Sequence, residues 1–395
     1  MTRFLAISSA VRIHAGDNAL ASLPREVARL NARHVFVLCG NSVATRTPLL
    51  SRIQALLGDR YAGAYTQLRK DAPLEDVQQA AAVARSGHAD LLVAVGAGSV
   101  LKATRVVAMA LGEDRPLMEL ATRYVDGQPP YSPRLLRPKP PVFNVLTAAT
   151  SAQHRGGAAL RRDDGGPRLE FFDPKTRPSA IFWDSDALLT APTSLALSTG
   201  LGVYWRALMN IGALRQANPL VQSSRLHAYT LSRTALHRML DPGDAQARLD
   251  MCAAALLQNR DEDDGGRPFD AHWIARSVYA LAAALFNRVP QLDQGATQAL
   301  LTAPAIRHFG NLCPDAIEQM GVALGLPATA AAPEQVAQAV RAHFLSLGVP
   351  HKLTNVSPTD REHALNASLY NFNADRAREL AGHHDRLRAI LTEAA

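Results

Sequence analysis

Four consecutive residues carry the first chemical signal in this sequence. Gly96-Ala97-Gly98-Ser99 follow a continuous apolar run, DLLVAV at 90–95, and lead into a helical pattern, VLKATRVVAMAL. A strand that turns into a helix through glycines presents unpaired backbone N–H groups at the positive end of the helix dipole, where anions bind. Glycine also lets a phosphate oxygen approach the backbone closely. Nucleotide binding is the chemistry such a turn serves, although a tight strand–helix turn uses the same residues.

Other reactive constellations are missing. The sequence has no G-x-S-x-G elbow, and no cysteine beside a histidine and a small-residue turn. GAGSVLKAT lacks the spacing and the closing GK[ST] of a phosphate-binding Walker loop. Cys39, Cys252 and Cys313 are widely spaced and contain no CxxC, which excludes a disulfide framework and a zinc ribbon and fits a reducing cytoplasm. Among the 13 histidines, His227 and His237 do not cluster as ligands do, and His383-His384 sit in a charged helical pattern. The acidic run DEDDGG at 261–266 reads as a solvated loop rather than a metal site.

The elements that must position the glycine turn alternate between strand and helix. RHVFVLC at 33–39 is a β-rich run closed by Gly40-Asn41. Residues 22–30 carry Pro24 at a helix start, and Pro73 opens a second helix with Gly87 as its C-cap. The run before Gly96 is apolar throughout, as a strand covered on both faces must be. From 123 to 141 prolines make an irregular excursion; a strand follows at 142–146, then a polar hairpin turning at Asp163-Asp164-Gly165-Gly166, and a last strand at 180–183. Beyond residue 186 only Ala/Leu-rich helical segments remain. We therefore expect two domains: an α/β nucleotide-binding domain over 1–185, with a parallel, Rossmann-like sheet, and an all-α domain over 186–395.

Composition agrees with that reading. In 395 residues, 42 Lys+Arg against 35 Asp+Glu leave a formal charge of +7, spread without a basic block, which argues against a nucleic-acid binder. No stretch reaches the ~18 apolar residues of a membrane span, and the N-terminus has no signal-peptide core. The expectation is a cytoplasmic protein with a small-molecule substrate.

The order of segments resembles the iron-containing alcohol dehydrogenase family, in particular its maleylacetate-reductase-like branch, with a dehydroquinate-synthase-like architecture. IHAGDNALASLPREVARL is similar to the family's opening strand, glycine turn and helix. KDAPLEDVQQAAAVARSGHADLLVAVGAGSV is similar to its second nucleotide-binding unit, which ends in GGGS. VLTAATSAQ stands where the family has TTAGTGSE, and FWDSDALLTAPTSLALSTGLG, NPLVQSSRLHAYTL and LFNRVPQLDQGATQALLTAPAIRHF resemble later landmarks. The resemblance implies NAD or NADP with its pyrophosphate on the GGGS turn, hydride transfer, a homodimer, and a divalent metal held by one Asp and three His.

Set against that pattern, the phosphate turn is partly kept. Gly96, Gly98 and Ser99 remain; Lys102 replaces an acidic position; Thr147, Thr150 and Ser151 keep hydroxyls that either donate to a phosphate or cap the local turn. The metal ligands are absent. Gly202 and Arg206 occupy the D-x-x-x-H positions, Tyr279 and Gln294 replace the later histidines, and no histidine lies between His154 and His227 or between His272 and His308. The resemblance then implies a metal-independent reductase. In it Arg206 holds a substrate carboxylate or a developing alkoxide, and Tyr204, Tyr279 or His272 supplies the proton. The competing readings are a non-catalytic family member that binds or regulates a partner and, more weakly, a lyase or cyclase step in the same cleft. Gly40-Asn41 offers no carboxylate to repel a 2′-phosphate, so NADP is admissible.

Overall fold

The apolar runs form two sheets. In chain order the strands are β1 (Arg12–Gly16), β2 (Val35–Cys39), β3 (Tyr61–Tyr65), β4 (Leu91–Gly96), β5 (Val142–Leu146), β6 (Gly157–Leu160), β7 (Leu169–Phe172) and β8 (Ala180–Asp184). Six are parallel in the order β1-β8-β5-β4-β2-β3, while β6 and β7 pair antiparallel as a separate ribbon. Every residue of β2, β4, β5 and β8 is buried, as their unbroken apolar character requires. This computed structural model describes residues 3–113, 115–125, 128, 130–162, 164, 166, 168–327 and 332–395. Two of the four expected hairpin-turn residues, Asp163 and Gly165, lie outside that set.

The helices are α1 (Leu23–Arg29), α2 (Asn41–Arg46), α3 (Leu49–Leu57), α4 (Leu74–Ser86), α5 (Gly98–Gly112), α6 (Leu117–Leu120), α7 (Ser185–Leu189), α8 (Thr193–Ile211), α9 (Pro219–Arg238), α10 (Ala245–Asp263), α11 (Trp273–Arg288), α12 (Gln294–Phe309), α13 (Pro314–Ala323), α14 (Pro333–Ser346), α15 (Pro358–Ser368) and α16 (His384–Glu393). One compact unit comprises Ser9–Pro192 and Pro242–Cys252 and contains both sheets; the other comprises Met1–Ser8, Thr193–Asp241 and Ala253–Ala395 and is helical.

The division therefore differs from a single cut at 185/186. The chain's first residues join the helical unit, where the Ile7 N–H donates to the Asp263 carbonyl at 2.8 Å. Residues 242–252 join the sheet unit, because Arg248 donates to the carbonyls of Leu188 (2.6 Å) and Ala191 (2.7 Å), and Gln153 Nε2 donates to that of Cys252 at 2.8 Å. Gly87 is the C-cap of α4 as the sequence suggests, with the left-handed conformation falling one position on, at His88 (φ 50°). One local expectation changes. The run DEDDGG is not a loop: its first three residues finish α10, and Asp261 is wholly buried because Arg225 Nε (2.7 Å) and Asn210 Nδ2 (3.2 Å) donate to it.

In the sheet unit, the chain runs outward from β2 to β3 and then returns to place β4 on the other side of β2. Strand order reverses between β2 and β4. Open parallel sheets bind ligands beyond the carboxyl ends of the strands at such a reversal. Here those ends are Cys39-Gly40 and Gly96-Ala97-Gly98-Ser99.

Candidate functional site

The turn after β4 is built by close approach. A Cβ on Gly96 would lie 2.8 Å from Val100 Cγ2, so a larger residue there displaces the first turn of α5. Ala97 is the extended N-cap of α5; no side chain caps the helix, and its first turn contains no acidic residue. The leading N–H groups of a 15-residue helix are thus left to water or a ligand.

The second turn packs against the first. Thr147 donates its N–H to the Gly96 carbonyl at 3.1 Å, and a Cβ on Gly98 would stand 3.2 Å from Thr150 Oγ1. Thr150 also caps the short turn at 151–154 by accepting from the Ala152 N–H at 3.1 Å, so one of its lone pairs is committed locally. Ser151 accepts at its carbonyl from Arg155 Nε at 3.0 Å. Ser99 Oγ accepts from the Asp71 N–H at 3.0 Å and keeps its own proton to donate. The hydroxyl residues read from the sequence therefore come together beside the glycine turn, in part through local caps.

Three residues that organise this corner escape sequence reading. Arg105, almost fully buried, donates to the carbonyls of Leu101 (3.1 Å), Ala152 (2.7 Å) and Gly157, which ties α5 to the second turn and to β6. Burial and the nearby Arg155 lower its guanidinium to about 9. Gln153, wholly buried, accepts from Trp183 Nε1 at 2.9 Å and receives Asn144 Nδ2 on its carbonyl at 2.9 Å. Asp71, in the left-handed region at φ 66°, pairs with Arg168 Nη2 at 3.1 Å across 97 residues of sequence. A contact at that separation leaves no local pattern to find.

Lys102 lies one turn into α5 and is partly buried. Burial is the main cause that pushes its ammonium down to about 8; Arg168 and Arg105 add to the fall, and Asp71 opposes it. No ion pair reaches Lys102 among the described residues.

In the helical unit the expected catalytic residues divide into three places. Arg206 is 3% exposed and donates from Nη2 to the Gln258 carbonyl (2.8 Å) and to Glu262 Oε1 (2.6 Å). Its guanidinium lies 4.8 Å over the Phe269 ring, and that ring stacks on Tyr279 at 4.1 Å, so Arg206 and Tyr279 share one stack. Tyr204 is elsewhere: fully buried among Tyr229 (6.0 Å), His343 (5.0 Å) and Phe344 (5.9 Å), with its phenol pushed well above the usual range by burial. Its expected role as a proton donor gives way to a core position. His272 is the N-cap of α11: Nδ1 accepts from the Ala275 N–H at 3.4 Å, and Nε2 lies 2.8 Å from the Met209 carbonyl. Burial lowers this imidazole to about 4, so it is a neutral cap, and the proton-donor expectation is corrected there as well.

A scan against family models matches residues 10–185 to the iron-containing alcohol dehydrogenases. Maleylacetate reductase 2 of Cupriavidus pinatubonensis is 28% identical over 258 residues, 65% of this chain and 63% of that protein. The chain thus aligns with less than two thirds of that relative's length. The solved alcohol dehydrogenase from Oenococcus oeni superposes with a TM-score of 0.83 at 18% identity, over 100% of both chains. Residues 10–185 thus carry the sequence pattern of the iron-containing alcohol dehydrogenases. Maleylacetate reductase of Sphingobium indicum is 22% identical over 323 residues, 80% of this chain and 77% of that protein. A further solved structure, sulfoacetaldehyde reductase from Bifidobacterium kashiwanohense in complex with NAD+, shares the fold with a TM-score of 0.79 at 16% identity, covering 100% of this chain and 99% of that one.

The iron in the family's name raises the question of fit. Among the described residues, no group of three His, Cys, Asp or Glu is placed to hold a metal ion. Of the two residues expected at the first-helix ligand positions, Gly202 lies beside the amide of Gln298 (3.8 Å from a Cβ placed there), and Arg206 is a buried cation already paired with Glu262. A guanidinium repels a divalent cation, and a glycine offers it nothing. Gly202 and Arg206 themselves thus do not fit a divalent metal as ligands.

Proposed function

We propose that the chain is an NAD(P)-dependent oxidoreductase. It interconverts a small carbonyl compound and its alcohol, with a carboxylate-bearing substrate preferred, and works without bound metal. The observation that carries the reading is the uncapped N-terminus of α5 at the strand-order reversal, with Gly96, Gly98, Ser99, Lys102, Thr147, Thr150 and Ser151 around it. Backbone N–H groups there bind a pyrophosphate, and the hydroxyls of Ser99 and Thr147 add donors. Relatives named as reductases and dehydrogenases, one solved with NAD+, support the same reaction class.

A dinucleotide supplies the hydride. The protein must offset negative charge developing on the substrate oxygen and deliver a proton to it. Arg206 takes the first role and the Tyr279 phenol the second, because the Phe269 ring joins them in one stack. The working form is a homodimer, with β1 available as the edge strand of the sheet. Light scattering on the purified chain tests that stoichiometry.

Turnover of NADH or NADPH with a panel of 2- to 6-carbon keto acids and aldehydes, in the presence of EDTA, tests the activity. Cofactor oxidation that survives chelation is the expected result, as is a fall of tenfold or more in R206A. Cofactor binding without turnover across the panel would leave a nucleotide-binding protein that has lost its chemistry.

A further inference from the structure

Away from the Arg206 stack, the helical unit holds a hollow between α12, α14 and the end of α16, with about 400 Å³ of space, part of it open to solvent. Its cause lies in the residues of α12. Ala299 and Ala303, one turn apart on one face, stop at Cβ, and Pro304 beside them offers only its ring. Phe344 of α14 and Val349 of the turn that follows it, both buried, supply further wall, so the lining is mostly apolar.

Two charged side chains and an imidazole line the same hollow: Arg341, Glu393 and His351. Glu393 is already engaged, since Arg307 Nη1 donates to one of its oxygens and His308 Nε2 lies 3.3 Å from the other. Arg341 is not. No carboxylate pairs with it among the described residues, and its guanidinium rests against His351, with Nη2 3.5 Å from Nδ1. An apolar hollow is thus rimmed by a guanidinium whose other N–H groups are open to a ligand.

We propose that this hollow binds a small monocarboxylate with an apolar body of about four to seven carbons, its tail against the alanine–proline wall and its carboxylate on Arg341. A planar guanidinium meets a carboxylate with two parallel hydrogen bonds. A second charge on the ligand would have to be desolvated against apolar walls. The hollow shares no residue with the Arg206, Phe269 and Tyr279 stack or with the glycine turn before α5, so the inference stands apart from the dinucleotide reading.

The test is calorimetric titration of the full chain with hexanoate, repeated on R341M, R341K and A303M. Arg341 is exposed, so R341M removes the charge without opening the core. Wild type binds hexanoate with a Kd of roughly 1 mM or tighter. R341M weakens it by about fivefold or more, as loss of a solvent-screened ion pair implies, and added salt weakens wild type but not R341M. R341K recovers part of the loss, which a packing defect would not allow. A303M fills the hollow and abolishes binding, and an unchanged or higher melting temperature shows that α12 still packs. If A303M does not fold, the Arg341 variants decide alone. Undiminished affinity in R341M places the carboxylate elsewhere, at Arg206 for instance, and overturns the proposal. Binding that survives in folded A303M overturns it too, as does no binding of hexanoate to folded wild type up to about 20 mM.

Discussion

Two titratable residues, both lowered by burial, make stability rise with pH in two separate windows. Lys102 is lowered to about 8 in the folded chain by burial, against 10.5 when exposed. Between those values the unfolded chain binds the extra proton, so this group's contribution to stability rises with pH across that window. Below about pH 8 the folded chain carries the full desolvation cost. K102M should therefore melt a few degrees above wild type at pH 7 in the absence of ligand, and the gap should close by pH 10.5; scanning calorimetry at both values checks it.

His272 acts in the same direction in a more acidic window. Its imidazole, lowered to about 4 by burial, binds protons only when unfolded between pH 6.5 and 4, so stability is lost as pH falls through that range. His343, lowered to about 4 by burial and by His237 and Arg233, contributes in the same window. H272A should lose about 1–2 kcal/mol from the cap alone, while H272N keeps most of the cap and flattens the acid limb of an urea-melt series. Neither role was legible in the sequence. A buried capping histidine and an active-site histidine look alike until the Met209 carbonyl and the α11 N–H are placed beside them.

At the scale of elements, α8 and α12 approach through glycine. A Cβ on Gly295 would stand 2.4 Å from the Ser198 carbonyl oxygen and 2.7 Å from the Gly202 nitrogen. A Cβ on Gly202 meets nothing closer than 3.8 Å. G295A should cost at least about 1–3 kcal/mol as overpacking, and G202A should be neutral or stabilising by up to about 1 kcal/mol, since alanine replaces a mid-helix glycine. Chemical denaturation of the two variants separates them, and equal losses would mean that the α8–α12 contact is not as described.

The elements also show what a single sequence conveys. β2, β4, β5 and β8 were legible because full burial on both faces forces continuous apolar runs. β3 was not: YAGAY has a glycine at its centre, lies at the edge of the sheet and is mostly half-exposed, so no run stands out. The acidic end of α10 was read as a loop because its buried partners, Arg225 and Arg206, lie 36 and 56 residues away. The glycine turn was legible locally. The Asp71–Arg168 pair and the Arg105 tie, which set its charge, were not.

At the scale of the whole molecule, the diffuse +7 acquires a location. Part of it gathers where Lys102, Arg105 and Arg168 face one carboxylate, and another part sits in Arg206, where a metal ligand would be expected. Among the described residues, no helix is long and apolar enough to cross a membrane. The central claim is that this chain binds a nicotinamide dinucleotide without a metal. The most direct measurement is the melting temperature of the purified chain in EDTA, with NADH and with NADPH at about a hundred times Kd. Binding there adds about 2.7 kcal/mol to the folded state, a rise of several degrees. No shift with either dinucleotide on folded protein, or a shift that appears only when iron or zinc is restored, would contradict the account.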